Sequence, residues 1–313
     1  MATIPACNRP TLYFIGVTTG RSSIMNVFPR WAEVLGLDAE IRGFDVPLRA
    51  PRDEYRRIVE HIHQDPLALG ALVTTHKIDL LVACRDMFDS LDPHAVVTGE
   101  VSCISKREGR LIGHAKDPIS SAAAWRAFVP SGHFRLGAEV LCFGGGGSAI
   151  AISVALASFG DPGDRPGRMT IVNRSHHRVG HLKEVHAQLQ TDIVFRYLVH
   201  EQPEQNDEAM EHLPLGSVVI NATGMGKDIP GSPITDRGRF PQAGLAWELN
   251  YRGELDFLHQ ARKQAATRNL HVEDGWVYFL HGWTSVIAEV FDITIDDRTF
   301  EALDVAARDA RPS

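Results

Sequence analysis

The sequence has few cysteines and no sign of the sites that cysteine clusters build. Its four cysteines are Cys7, Cys84, Cys103 and Cys142, and no two of them form a CxxC pair. Closely spaced cysteine pairs are typical of disulfide scaffolds and zinc sites, so we expect reduced, buried thiols here. The histidines of segment 176–181 also lack the spacing of metal ligands. The sequence therefore predicts no metal.

Clustered positive charge and long apolar runs are missing as well. The chain has 32 basic and 39 acidic residues, a formal net charge of −7, and no dense group of lysines and arginines. This argues against a nucleic-acid partner, because a phosphate backbone is held mainly by clustered cations. No apolar run reaches 18 residues, which argues against a membrane span. Segment 1–17 has no basic region followed by a long apolar stretch, so we expect a cytoplasmic location.

What the chain does contain is a regular alternation of strand-like and helix-like segments. In 313 residues, a length that suits two lobes, strand-like segments at 11–17 and 70–75 are separated by helical patterns. The pattern restarts at 139–160 and continues with strand-like segments at 168–173, 192–198, 217–223 and 245–251. This order predicts an α/β protein with a doubly wound, Rossmann-like parallel sheet in its second half. If segment 11–17 is an edge strand, it can pair across a homodimer.

The stretch "FGGGGSA" places Gly144 to Gly147 between an apolar strand and an apolar helix. Glycines there let a diphosphate approach backbone N–H groups and the positive end of the helix dipole. A glycine run can also be a plain structural turn, but the strand–turn–helix context favours a nucleotide site.

The next strand ends in "VNRSHHR" rather than in an acidic residue. An acidic residue at this place accepts hydrogen bonds from the ribose of NAD and repels a 2′-phosphate. Asn173, Arg174, Ser175 and Arg178 supply donors and two cations instead, which favours NADP over NAD. The alternative is that the arginines only form the solvated start of a helix.

A third segment, "NATGMG", covers residues 221–226 at the end of another strand. In a doubly wound sheet this end faces the same crevice, and small residues there leave room for the nicotinamide and ribose. Alone, the segment is compatible with any turn after a strand.

Taken in order, these segments resemble the shikimate/quinate dehydrogenase family. "GVTTGRSSIMN" is similar to its serine-bearing first loop, "LVTTHK" to its strand with the catalytic lysine, and "GEVSCI" and "LIGHAKD" to two substrate-lobe segments. "GGGGSA", "NRSHHR" and "NATGMG" resemble its nucleotide motifs, and "GWVYFLHG" resembles a C-terminal segment of the family. The matches run through nearly the whole chain.

The resemblance implies a substrate lobe over residues 1–120, completed by a C-terminal helix at 279–313, and an NADP-binding Rossmann lobe over 121–278. It makes Lys77 and Asp117 the catalytic acid–base pair. Oxidation of a secondary alcohol needs a proton acceptor at the hydroxyl, and a lysine can serve when desolvation lowers its pKa. The resemblance places the substrate at Ser22, Thr74, Ser102, Tyr251 and His281. It places the cofactor at Gly144, Gly145, Gly146, Gly147, Ser148, Asn173, Arg174, Ser175, Arg178, Asn221, Thr223, Met225 and Gly275.

The chain departs from the family mainly around the substrate. Ile24 stands where the family has the second serine of its first loop, Ser102 replaces an asparagine, and His281 replaces a glutamine. A one-residue gap before Lys77 also leaves the alignment of Thr74 open. Tyr251 and His281 are equally compatible with packing roles. Because sites that hydrogen-bond a hydroxyl reject analogues strongly, these changes predict weak or absent turnover of shikimate and quinate.

The sequence therefore predicts an NADP-dependent oxidoreductase of the EC 1.1.1 type that acts on a secondary alcohol or ketone of a small alicyclic, shikimate-like hydroxy acid. The resemblance also implies a role in the shikimate pathway of aromatic amino acid biosynthesis. Two alternatives stay open: an amino-shikimate or other specialised-pathway dehydrogenase, and a regulatory relative that binds nucleotide without turnover.

Overall fold

The structure is a computed structural model that describes residues 4–227 and 229–311. The chain divides into two compact units, one formed by Met1–Lys116 with Gly282–Ser313 and the other by Asp117–His281. The lobe boundaries expected from the sequence, 1–120 with 279–313 and 121–278, stay a prediction. Which unit binds which ligand stays a prediction.

Strands and helices alternate along most of the described chain. The strands are Thr11–Gly16 (β1), Glu40–Asp45 (β2), Ala68–Val73 (β3), Ser90–Leu91 (β4), Cys103–Arg107 (β5), Arg110–His114 (β6), Val140–Phe143 (β7), Arg168–Asn173 (β8), Val194–Val199 (β9), Val218–Asn221 (β10), Leu245–Glu248 (β11) and His271–Glu273 (β12). The helices are Ile24–Leu35 (α1), Arg52–Gln64 (α2), Lys77–Cys84 (α3), Pro93–Thr98 (α4), Asp117–Phe128 (α5), Gly147–Ala157 (α6), His176–His186 (α7), Pro203–Glu211 (α8), Asp256–Arg268 (α9), Trp276–Phe291 (α10) and Asp297–Ala307 (α11).

The first unit is built on a mixed sheet in the order β2-β1-β3-β5-β6-β4. Its core lies beneath α2 and α3, whose apolar faces pack on the sheet. The expectation that segment 11–17 is an edge strand is wrong. β1 pairs in parallel with β2 on one side and β3 on the other, and all six of its residues are buried, so apolar side chains fill both of its faces.

The C-terminal segment packs in this same unit. The indole Nε1 of Trp31 in α1 donates to the carbonyl of Leu303 in α11 at 2.7 Å. The ring of Phe14 in β1 meets Trp283 edge to face, with 5.0 Å between centroids. The first contact fixes α11 against α1, and the second fixes α10 against β1.

The second unit contains a fully parallel sheet in the order β12-β11-β10-β7-β8-β9. Two strand series start from neighbouring central strands, β7 and β10, and run outwards in opposite directions, which is the doubly wound order. The predicted Rossmann-like sheet is therefore confirmed. Its central strand β7 reads "VLCF" and is buried throughout, as expected for a strand with both faces covered.

Among the helices of the described residues, none is long and apolar enough to cross a membrane.

Candidate functional site

The glycine turn after β7 is shaped by close neighbours. Gly144 has φ +107°, and a Cβ on it would lie 2.5 Å from the carbonyl oxygen of Ala222. A Cβ on Gly145 would lie 2.6 Å from Nδ2 of Asn173. Gly146 caps α6, which begins at Gly147, with Ser148 half-buried in its first turn. The turn thus brings the unpaired amides of a helix start to the end of the central strand.

The end of β8 lies beside the glycine turn and forms a second wall of the same site. Asn173 is its last residue, and its Oδ1 accepts from the amide of Ser175 at 2.8 Å. Ser175 caps α7, with its hydroxyl accepting from the amide of Arg178 at 3.4 Å. This cap directs the start of α7 towards the glycine turn, where a Cβ on Gly146 would lie 3.3 Å from the guanidinium of Arg178.

Two guanidinium groups are available at this wall. Arg174 and Arg178 are both exposed. Within residues 4–227 and 229–311, neither of them forms an ion pair with a carboxylate. One carboxylate, that of Glu201 after β9, lies on the rim of the same cavity. The wall can therefore accept an anionic group without first breaking an internal salt bridge.

These segments surround a cavity of about 480 Å³ at the carboxyl ends of the parallel strands. Of the residues that the sequence assigns to the cofactor, those lining the cavity are Gly144, Gly145, Gly146, Asn173, Arg174, Ser175, Arg178, Thr223 and Met225. The others, Gly147, Ser148, Asn221 and Gly275, do not line it. A cavity at the switch between two strand series is the usual ligand site of a doubly wound sheet.

The far wall was not anticipated from the sequence. His200 hydrogen-bonds through Nδ1 to Oδ1 of Asn206 at 2.9 Å, and Nδ2 of Asn206 donates to the carbonyl of Pro233 at 2.7 Å. These three residues line the cavity together with Ser232 and Ile229. No local motif marks them, since they come from three separate segments.

Asn221 supports the third wall of the cavity, which is the turn at residues 221–226. It is fully buried, its Oδ1 accepts from the amide and hydroxyl of Thr223 at 3.1 and 2.6 Å, and its Nδ2 donates to Glu248 at 2.7 Å. With these polar atoms engaged inside the protein, Asn221 holds the turn that carries Thr223 and Met225 to the cavity.

Glu248 is the residue of this region that sequence reasoning missed. It ends β11 and is fully buried. Its carboxyl also accepts from the backbone amide and the Nδ2 of Asn250, at 2.8 and 2.7 Å. Burial raises the pKa of Glu248 to about 8, and the hydrogen bonds from Asn250 and Asn221 offset only part of that shift. A titratable group thus lies directly beneath the 221–226 turn.

In the first unit, the predicted catalytic lysine begins α3. Lys77 is half-buried, and its carbonyl accepts from the amide of Val101 at 3.2 Å. The preceding residue, His76, is buried and structural: its Nε2 lies 2.9 Å from the carbonyl of Val46 and its Nδ1 3.0 Å from the hydroxyl of Tyr55. Burial lowers the pKa of His76. The neutral imidazole therefore ties the start of α3 to two neighbouring segments.

Of the three predicted substrate residues of this unit, Thr74 and Ser102 have hydroxyls bonded to the unit's own backbone. Thr74 follows β3 directly, and its hydroxyl donates to the carbonyl of Ile15 at 3.4 Å. Ser102 is buried, and its hydroxyl accepts from the amide of Lys116 at 2.8 Å. Ser22 is half-buried after a single 3-10 turn. Ile24, in contrast, is fully buried at the start of α1, so its side chain packs in the core.

The predicted catalytic aspartate lies at the beginning of the second unit. Asp117 is half-buried and begins α5, and its carbonyl accepts from the hydroxyl of Ser120 at 3.1 Å. The preceding Lys116 is anchored in the first unit, where its Nζ lies 2.6 Å from the carboxylate of Glu289. The chain entering Asp117 is therefore held by both its backbone and a side chain.

The remaining predicted residues belong to the second unit. Tyr251 packs against the rings of Phe279 and Trp276, with centroids 4.6 and 5.9 Å away. Gly275 lies against the Leu249 carbonyl so closely that a Cβ would collide with it. His281 is half-buried, and burial lowers its pKa. Gly275 thus serves a close approach of two backbone segments.

Comparison with known proteins finds sequence relatives that are named shikimate dehydrogenases. No protein-family profile matches the chain. The shikimate dehydrogenase (NADP(+)) of Streptococcus thermophilus is 27% identical over 226 residues, which cover 72% of this chain and 73% of the relative.

Solved structures share the fold at lower identity. Shikimate 5-dehydrogenase of Thermus thermophilus, solved with NADP(H) and shikimate, is 22% identical with a TM-score of 0.70, and the match covers 96% of this chain and 99% of that one. The 5-ketofructose reductase of Gluconobacter sp. strain CHM43 is 19% identical with a TM-score of 0.69, covering 95% and 98%. The second case shows that this fold also carries a reductase named for a different substrate.

Proposed function

We propose that this chain, which is similar to shikimate dehydrogenases, is an NADP-dependent oxidoreductase acting on a small alicyclic hydroxy acid. The reaction transfers a hydride between the nicotinamide and a secondary alcohol or its ketone. The observation that carries the proposal is the cavity of about 480 Å³ at the switch point of the parallel sheet, where the glycine turn and the two arginines meet.

The residues present fit NADP. The turn at Gly144–Gly146 and the start of α6 suit a diphosphate. Arg174 and Arg178 suit the 2′-phosphate, because guanidinium groups bind phosphate oxygens with paired hydrogen bonds. When bound, the cofactor would supply the hydride acceptor or donor, and the small residues Ala222, Thr223 and Gly224 leave room in the cavity for its nicotinamide end.

The proton is handled by Lys77 and Asp117 in this proposal. During oxidation the lysine takes the hydroxyl proton of the substrate, and during reduction it returns that proton, while Asp117 orients the pair. Two hydrogen bonds within the first unit support it: the Lys77 carbonyl accepts from the amide of Val101, and the hydroxyl of the next residue, Ser102, accepts from the amide of Lys116, which precedes Asp117.

The substrate is proposed to differ from shikimate. Ile24 is buried where a hydroxyl is expected, and the Ser102 hydroxyl accepts a hydrogen bond from the protein itself. Fewer side chains then remain to pair with the hydroxyls of a polyhydroxylated ring, and unpaired hydroxyls reduce affinity strongly. A less oxygenated or amino-substituted ring fits this environment better.

Two measurements test the proposal. Binding of NADPH and NADH is followed by nicotinamide fluorescence, and we expect NADPH to bind at least about tenfold more tightly. Shikimate, quinate and related cyclic hydroxy acids are then screened by nicotinamide absorbance, with a less oxygenated or amino analogue expected to give the highest kcat/KM.

The cofactor preference, the altered substrate and the turnover can each be contradicted separately. Equal binding of the two nucleotides would remove the role of the arginines. A kcat/KM for shikimate in the upper range of ordinary enzymes, about 10⁶ M⁻¹s⁻¹ or more, would overturn the altered substrate. Tight NADPH binding without turnover of any such acid would favour the regulatory alternative.

A further inference from the structure

Three side chains with metal-binding atoms lie together in the first unit. Cys7, His61 and Asp65 each offer one such atom, a thiol sulfur, an imidazole nitrogen or a carboxylate oxygen, and these atoms all lie within 4.8 Å of one another. Cys7 precedes β1, whereas His61 and Asp65 lie at the end of α2. The sequence therefore shows no local ligand motif, and only folding brings the three together.

The cluster is separate from the proposed catalytic residues. The amide of Thr11, at the start of β1, donates to the carbonyl of Leu67 at 2.8 Å, so the turn around Asp65 lies beside the amino end of β1. Ser22 and Lys77, in contrast, follow the carboxyl ends of β1 and β3. Because β1 and β3 are parallel, the cluster of Cys7, His61 and Asp65 lies at the amino ends of these strands, whereas Ser22 and Lys77 lie at their carboxyl ends.

Asp65 is held in place by backbone donors rather than by a cation. One carboxylate oxygen accepts from the amide of Cys7 at 2.6 Å and the other from the amide of Leu67 at 2.9 Å. The ammonium group of Lys106 donates to the Asp65 main-chain carbonyl at 2.7 Å. In the part of the chain that the structure describes, no cation forms an ion pair with this carboxylate, although Asp65 is only 9% exposed. Carboxylates this buried ordinarily pair with a cation or bind a metal.

Tyr13 fixes the other two groups. Its hydroxyl lies 3.2 Å from the Cys7 sulfur and 2.8 Å from Nε2 of His61. Phe44 stacks on the tyrosine ring with centroids 4.5 Å apart, and the His61 ring meets it edge-on at 5.5 Å. The thiol and the imidazole nitrogen therefore both face the Tyr13 hydroxyl, which occupies the position between them.

We propose that Cys7, His61 and Asp65 bind one zinc ion, which ties the N-terminal segment to the end of α2. Thiolate, imidazole and carboxylate are the ligands that zinc prefers, in tetrahedral geometry with a fourth ligand such as water. Zinc–ligand bonds of about 2.0–2.3 Å place ligand atoms roughly 3.3–3.8 Å apart. In this proposal the side chains of Cys7, His61 and Asp65 close by about 1 Å, and the zinc ion replaces the Tyr13 hydroxyl as the partner of the thiol and the imidazole. Binding releases the thiol proton, and the thiolate and carboxylate together balance the double positive charge.

Cobalt(II) titration of the metal-free, reduced, full-length chain tests the site. We expect one equivalent of Co²⁺ to give visible bands of a tetrahedral ion and a near-ultraviolet sulfur-to-cobalt charge-transfer band, and one equivalent of Zn²⁺ to abolish both. Zn²⁺ should also raise the Tm, because it binds only the folded state.

Matched variants assign the sulfur and the nitrogen. Cys7→Ser should lose the charge-transfer band, while Cys84→Ala, at another buried thiol of the same unit, should retain it. His61→Gln should weaken Co²⁺ binding at least about tenfold. Absence of the band in the wild-type chain, or its persistence in a folded Cys7→Ser variant, would overturn the site. Neither readout depends on enzymatic activity.

Discussion

The polar residues at the strand ends of the two units are used in different ways. In the second unit, Arg174 and Arg178 lie on a cavity with their guanidinium groups exposed. In the first unit, the hydroxyls of Thr74 and Ser102 are bonded to the unit's own backbone. A cofactor that many enzymes share is thus bound by a contiguous motif, whereas a substrate pocket is adapted residue by residue and cannot be read from a motif.

The largest expected effect concerns the chemistry proposed for the first unit. Lys77→Ala should lower kcat by at least about a hundredfold, because positioned acid–base groups contribute about 10² to 10⁴ in rate. NADPH affinity should change little, since Lys77 does not line the nucleotide cavity. Steady-state kinetics and fluorescence titration measure the two quantities, with exposed Lys263→Ala as the control. An unchanged kcat would remove Lys77 from the mechanism.

A smaller effect is expected at the arginine wall of the second unit. Arg178→Ala should weaken NADPH binding by about tenfold or more, because a charge-assisted hydrogen bond contributes about 1.5–3 kcal/mol. NADH binding should stay nearly constant, since NADH lacks the 2′-phosphate. Arg262→Ala, at an exposed arginine of α9, serves as the matched control. An equal loss for both nucleotides would show that Arg178 acts on the shared part of the cofactor or on the fold.

The last expected effect is one on stability and concerns Glu248, which lies beneath the cavity of the second unit. The folded-state pKa of Glu248 is raised to about 8 from an ordinary value of 4.5, so the folded chain keeps a proton that the unfolded chain has lost. This stabilisation is full below pH 4.5 and is lost as the pH rises to about 8, at up to about 1.4 kcal/mol per pH unit. Glu248→Gln should remove this slope.

The pH range for that measurement is limited by a second buried titratable group, His186. Burial lowers the pKa of His186 to about 4 from 6.5, so its contribution to stability falls as the pH drops below 6.5. Urea unfolding between pH 6.5 and 8 is therefore compared between the wild type and Glu248→Gln, because the buried histidines contribute equally to both, with exposed Glu208→Gln as the control. A Glu248→Gln variant with the wild-type pH slope would mean that the carboxyl does not titrate in this range.

The sequence could predict the second unit well because its signals are local. The glycine turn, the end of β8 and the start of α7 lie within about forty consecutive residues, and apolar strands alternate with helices around them. It predicted the first unit less well. Segment 11–17 reads like an edge strand by its position at the start of the chain, but β2 returns to pair outside it. In the second unit, the sequence did not reveal that the amide of Asn221 donates to Glu248, 27 residues later, and the cofactor role of Asn221 stays a prediction.

By itself the sequence determined the elements, the doubly wound sheet and the position of the nucleotide turn, because backbone propensity and apolar periodicity act over a few residues. Only the tertiary structure decided which polar side chains remain available to bind a ligand. It buried Glu248 among amide donors and joined Cys7 to Asp65 across 58 positions. Desolvation and hydrogen-bond pairing depend on distant partners, and those partners exist only once the chain has folded.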